Sequence, residues 1–259
     1  MKIESSSSAR SEAFTLMEVL VVVAIILVIA AIALPTINAL QIRGSRVVAM
    51  NNMKQLGSAA GLYIQQNDGV LPQEDGPGST TWTSVSRPEE AKAWYNALPA
   101  ILNRKHVAEY ASNPQAFYSK DNILFLPGAK YPDSTRKLAQ PLFAIAINTK
   151  LQRKDKATGV KAEVRAIDIT HPARTILLLE QGLKHEERAM EQQHRYDGSP
   201  KGSAKSFVAR YNGFGVVTFV DGHEELIEGN GILQENGRIK FPVDLGDVIW
   251  SKTPEEDPN

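Results

Sequence analysis

What most limits how this chain can fold is a run of sixteen apolar residues, 19–34, with no charge in it and with Glu18 directly before it. With residues 14–18 included, the segment reaches the ~20 residues that a helix needs to cross a bilayer. Glu18 is its single charge. A carboxylate at the centre of a bilayer costs on the order of 2.5–3.5 kcal/mol, so one is kept where it finds a partner or serves a function. As a helix of a soluble protein, the run would have to be covered on all sides. A plain transmembrane anchor accounts for the length but leaves Glu18 unexplained. A secretory signal is also written here, since Ala31-Ile32-Ala33 is a small-x-small pattern behind an apolar stretch. Against that reading, Glu18 lies inside the apolar region and the helical pattern continues past the cut.

The residues around the acid, Ala13-Phe14-Thr15-Leu16-Met17-Glu18, resemble the processing site of type IV prepilins and type II secretion pseudopilins. The resemblance implies that a prepilin peptidase cuts between Ala13 and Phe14 on the cytoplasmic side and methylates the new amine. It also implies that Glu18 assembles subunits by pairing with the Phe14 ammonium of a neighbour, each charge removing the other's desolvation cost. The family usually has Gly before the cut, where this chain has Ala13, also small. Pro35 matches the family's helix-kinking proline; with no N–H and a bulky ring, it bends or loosens a helix. Lys2 and Arg10 before the segment stand against Arg43, Arg46 and Lys54 after it, so the positive-inside rule does not choose an orientation. A cytoplasmic N-terminus and a periplasmic C-terminal domain follow from the resemblance alone.

Beyond Pro35 the pattern turns amphipathic. Ala49, Met53, Leu56, Ala60 and Tyr63 or Ile64 recur at steps of three and four, which predicts one buried helix face. Asn67-Asp68-Gly69 supplies a stop, because Gly accepts the left-handed conformation at a helix end. Gly57 and Gly61 either allow a close approach to this helix or simply weaken it. Residues 68–87 read as a loop. Pro88-Glu89-Glu90 opens a second helix, with Trp94, Leu98, Ile101 and Leu102 on its core side.

From residue 121 onward, short apolar runs alternate with turn residues, as in an antiparallel sheet. Candidate strands are residues 123–126, 142–147, 164–169, 175–179, 215–220 and 224–227, with Asp221-Gly222 as a hairpin turn between the last two. Residues 191–206 are polar and read as a surface loop. The charge run Arg153-Lys154-Asp155-Lys156 reads as a solvated loop. Arg210-Tyr211-Asn212-Gly213, followed by Phe219-Val220-Asp221-Gly222-His223, resembles a C-terminal signature of prepilin-like proteins in which a His precedes the Asp-Gly pair by ten positions. Tyr211 stands in the place of that His.

Lys plus Arg and Asp plus Glu each number 29, so nothing in the balance draws the chain to nucleic acid. Cysteine is absent, which excludes disulfides, Cys-ligated zinc and thiol catalysis. No nucleophile elbow, phosphate loop or dinucleotide fingerprint is present, so enzymatic function is not expected. Metal is not expected either. Calcium takes six to eight oxygens, and Asp221, Glu224 and Glu225 are its candidate ligands, since some related pseudopilins hold calcium in a C-terminal loop; Glu228, Asp244 and Asp247 follow, without EF-hand spacing. His185, His194 and His223, with Glu186, Glu187 and Glu191, do not match His-Glu-x-x-His.

The expectation is therefore an α+β, pilin-like chain. It has a leader over residues 1–13, an N-terminal helix over 14–67 that spans the membrane over about 14–34, and an antiparallel-sheet head over 68–259. The resemblance implies a structural subunit of a pseudopilus or pilus-like filament in the bacterial inner membrane. Its partners would be prepilin peptidase, other pilin-like subunits and an inner-membrane assembly platform. The absence of the paired cysteines of many true pilins favours the pseudopilus. The alternative is a membrane-anchored extracytoplasmic ligand-binding or enzymatic domain that does not polymerise.

Overall fold

The structure, a computed structural model, describes residues 15–73, 80–151 and 163–259. The leader, with Ala13 and Phe14, the Arg153–Lys156 charge run and part of the 68–87 loop lie outside the described residues. The chain divides into two compact units, Met1–Arg43 and Gly44–Asn259.

Helix α1, Leu16–Gln66, passes through both. In the first unit its apolar side chains face outward all round, and no part of its most apolar stretch is buried. It is long and apolar enough to cross a membrane. The helix continues through Pro35, and next to it the Thr36 hydroxyl donates to the Ile32 carbonyl at 3.1 Å. In the second unit, Ala49, Met53, Leu56, Ala60 and Tyr63 are buried along one face, as their spacing predicts, and Ala59 joins them. α1 ends at Gln66; Asp68 and Gly69 both have positive φ, and the Gly69 N–H closes the helix on the Ile64 carbonyl at 2.9 Å.

Two further short helices follow, α2 at Trp82–Val85 and α3 at Trp94–Ile101. Thr81 caps α2, its hydroxyl accepting from the Ser84 N–H while Ser84 returns a bond to the Thr81 N–H. The helix expected from Pro88 is divided: Pro88–Lys92 is a 3-10 turn, and Ala93, in an extended conformation, separates it from α3. Trp94 and Leu98 are buried in the core as expected, with Trp94, Tyr95 and Phe143 in mutual ring contact. Helix α4 covers Ser134–Ala139.

The sheet has five strands: β1 Ile145–Asn148, β2 Ile176–Glu180, β3 Lys201–Gly202, β4 Phe214–Phe219 and β5 Glu224–Glu228, in the order β3-β1-β2-β4-β5. It is mixed rather than wholly antiparallel, because β3 pairs parallel to β1. This strand falls inside residues 191–206, where polarity had suggested a surface loop. Polar side chains here are buried instead. Gln193 donates to the Phe207 carbonyl at 2.9 Å and Tyr196 donates to the same oxygen at 2.8 Å. A satisfied buried amide looks like a solvated one in the sequence.

Two expected strands are absent among the described residues. At 123–126 the Asn122 side chain accepts from the Leu124 N–H and the Phe125 N–H bonds the Asn122 carbonyl, which coils the segment into turns. At 164–169 the Asp168 carboxylate takes the Arg165 N–H at 3.0 Å and winds Ala166–Asp168 into a 3-10 turn; Ile167 is left 88 % exposed.

One face of the sheet carries the head-side half of α1. The Thr218 hydroxyl donates to the Met53 carbonyl at 3.1 Å. A Cβ on Gly57 would lie 2.3 Å from the Gly222 carbonyl oxygen and 2.6 Å from Thr218 Cγ2. Gly57 is thus the close-approach glycine, and Gly61, with nothing within 4 Å, is not. On the other face Ala146, Leu179, Phe207, Val217, Phe219 and Trp250 form a buried cluster.

Candidate functional site

The chemistry concentrated at the start of α1 is a closed cap. Thr15 and Glu18 stand three apart, and the Thr15 N–H and hydroxyl donate to Glu18 Oε2 at 2.8 and 2.9 Å while the Glu18 N–H donates to the Thr15 hydroxyl at 3.2 Å. This is a capping box, which satisfies main-chain donors that a helix start otherwise leaves bare. The Thr-x-x-Glu spacing ahead of an apolar run is its sequence sign, and the sequence reading, occupied with Glu18 alone, missed the part played by Thr15. Both Thr15 bonds fall on Oε2. Among the described residues, Thr15 is the hydrogen-bond partner of Glu18, and its two bonds leave Oε1 without one.

The second concentration of charge is buried in the head. Glu180 ends β2; Arg210 and Tyr211 precede β4; Glu186 lies on the loop after β2. Arg210 grips Glu186 bidentately, Nε to Oε1 at 2.9 Å and Nη2 to Oε2 at 2.7 Å, and its Nη1 lies 3.8 Å from Glu180 Oε1. Glu186 also accepts the Leu183 and Lys130 N–H groups. Tyr211 donates to Glu180 Oε1 at 2.8 Å, and the Val216 N–H donates to Oε2 at 3.2 Å.

Burial pushes the Glu180 carboxyl up to about 7, with Arg210 and the Tyr211 hydrogen bond pulling the other way. Burial also raises Glu186, but Arg210 and the main-chain donors outweigh it and hold that carboxyl below its ordinary value. Arg210 is raised because the two carboxylates overcome the burial that disfavours its charge. The cluster ties the loop after β2 to the sheet. The sequence pattern showed Arg210 and Tyr211 but gave no sign of their acidic partners, which lie more than twenty residues away. Tyr211, standing where the signature has His, is a buried hydrogen-bond donor.

The Asp221-Gly222 turn is structural in its contacts. Gly222 has φ +93°, the Gly222 N–H donates to the Phe219 carbonyl, and the Phe219 N–H donates to the His223 carbonyl. Asp221 Oδ1 is engaged by the His223 N–H and by His223 Nδ1, at 3.2 and 2.6 Å. The calcium candidates do not converge: Glu224 pairs with Thr218 on the α1 face of the sheet, whereas Glu225 pairs with Val217 on the opposite face. Asp244 and Asp247 hold the Lys240 ammonium at 3.1 and 2.8 Å. Glu186 belongs to Arg210, and His194 Nδ1 contacts the Gln192 carbonyl. Among the described residues no three His, Asp or Glu side chains form a metal-holding group.

One long N-terminal helix followed by a head with a mixed five-stranded sheet is a pilin-like layout. Residues 8–34 match the family model described as the prokaryotic N-terminal methylation motif, which supports membership of a type IV prepilin-like family. The match supports the chain as a prepilin-like substrate of prepilin peptidase. Its apolar helix fits a membrane-anchored prepilin. The match does not extend to the 210–223 signature. No curated protein and no solved structure matches the chain.

Proposed function

We propose that this chain is a filament subunit, cut between Ala13 and Phe14, N-methylated at Phe14, and polymerised through its N-terminal helix. The observation that carries the reading is the methylation motif at residues 8–34. The geometry of Glu18 supports it, since both bonds from Thr15 fall on one carboxylate oxygen and fix the direction of the group. An ammonium from a neighbouring Phe14 would meet a carboxylate already fixed in direction, and in an apolar filament core each charge lowers the desolvation cost of the other. Pro35 would bend or loosen the helix where the apolar stretch ends. The head would stand in the periplasm as the filament's outer surface, with an inner-membrane platform and other pilin-like subunits as partners. A type II secretion pseudopilus is favoured over a retractable pilus because the chain has no cysteine, and so lacks the paired cysteines of many true pilins.

Two measurements test this. The N-terminus of the protein from its native membrane should be N-methyl-Phe14; a start at Leu34 would mean ordinary secretion and refute the filament. Glu18→Ala should leave membrane insertion intact and abolish incorporation into filaments, and normal incorporation by that variant would refute the assembly role.

A further inference from the structure

We propose that the outer edge of β5 accepts an added strand from an extended, cationic polypeptide segment. β5 is the last strand of the sheet. The bonds from the Phe219 N–H to the His223 carbonyl and from the Gly229 N–H to the Gly213 carbonyl set the alternation of the β4–β5 ladder. Glu225 and Ile227 therefore turn their main-chain groups toward β4, while Glu224, Leu226 and Glu228 turn theirs away from the sheet. Such an edge is a template for another strand.

A groove of about 390 Å³ runs beside it. Ile227, Val248 and Trp250 supply apolar lining, and Glu225, Glu228 and Asp247 supply acid. Lys240, in the same lining, is committed to Asp244 and Asp247, so the groove stays net negative. The far wall is held firmly, because the Arg174 guanidinium donates to the main-chain carbonyls of Asp244 and Asp247 at 2.8 and 2.6 Å.

Charge decides the occupant. A second copy of β5 would set Glu224, Glu225 and Glu228 against the same acids, and like charges on paired strands repel. A segment alternating Lys or Arg with apolar residues would lay its cations over Glu225 and Asp247, their methylene stems covering Ile227 and Val248, and turn its apolar side chains to the Leu226 side of β5.

The test uses the full chain in detergent and, as probe, a short capped peptide of alternating Val and Lys. The peptide should slow hydrogen exchange at the Leu226 and Glu228 amides, and a Val/Glu peptide of equal length should not. N-methylation of alternate peptide residues, which removes ladder donors and leaves the charge, should weaken binding by about tenfold or more. The double variant Glu225→Gln, Glu228→Gln should melt like the parent and bind the peptide about tenfold less tightly. Equal binding of the Val/Lys and Val/Glu peptides, or no slowing at β5, would overturn the proposal. Protection of these amides in the peptide-free chain, rising with its self-association, would assign the edge to a second copy and overturn it as well.

Discussion

The two halves of α1 are one unbroken helix held for different reasons. In the first, valines, isoleucines and leucines point outward in every direction, and the start is closed by the Thr15–Glu18 cap. In the second, one stripe from Ala49 to Tyr63 is buried and the opposite side is left to solvent. A helix with an apolar surface all round needs an apolar surrounding, whereas an amphipathic one needs a single partner. Here that partner is the sheet. The contrast teaches that side-chain identity in the first half matters to what surrounds the chain, and in the second half to whether the head folds.

The strongest way to break this comparison is a pair of truncations. Met53→Ala should cost about 2–5 kcal/mol of head stability, through lost burial and the cavity left behind. Ile25→Ala, made where the side chain is exposed, should leave the head's thermal unfolding in detergent unchanged. Equal losses for the two would mean the halves are not distinct. Gly57→Ala comes next. Alanine is the better helix former by about 1 kcal/mol, yet its methyl would meet the Gly222 carbonyl, so a net loss of about 1–3 kcal/mol is expected by urea titration.

The two regions also differ in how they hold a carboxylate, and pH sharpens that difference. Glu180 is raised from 4.5 to about 7 on folding. The folded state therefore binds its proton more tightly, and the stability this contributes is full below pH 4.5 and lost as pH rises to about 7. The loss should be on the order of 3 kcal/mol, and Glu180→Gln should flatten it. Glu186 has the opposite sign: held below its ordinary value, it gives stability that is lost only as pH falls below about 4.5. The smallest effect belongs to Gly61→Ala, which has open space around it and should stabilise by up to about 1 kcal/mol.

Much of this architecture was legible in the sequence because period and turn chemistry are local. The spacing of Met53, Leu56 and Ala60 gave the buried face; Asp68-Gly69 gave the helix end; Asp221-Gly222 gave the hairpin. What could not be read was set by distant partners or by short polar side chains that redirect the main chain. Asn122 and Asp168 turned two apolar runs away from the sheet. Gln193 and Tyr196 drew a polar stretch inward and left room for β3. At the candidate site, the position of Glu18 was evident but its bond to Thr15 was overlooked, although both residues were in view. The head's charge cluster joins Glu180, Glu186 and Arg210 across a fold that had first to be known.

The contact between Gly57 and Gly222 carries a lesson for engineering. It is reciprocal: a methyl on Gly222 would in turn sit 3.1 Å from the Gly57 carbonyl oxygen. Backbone meets backbone there, so the joint does not depend on matching side-chain shapes and cannot be restored by exchanging one residue for another. Anyone grafting this head onto a different stalk would have to carry the two glycines across together, as a mortise goes with its tenon.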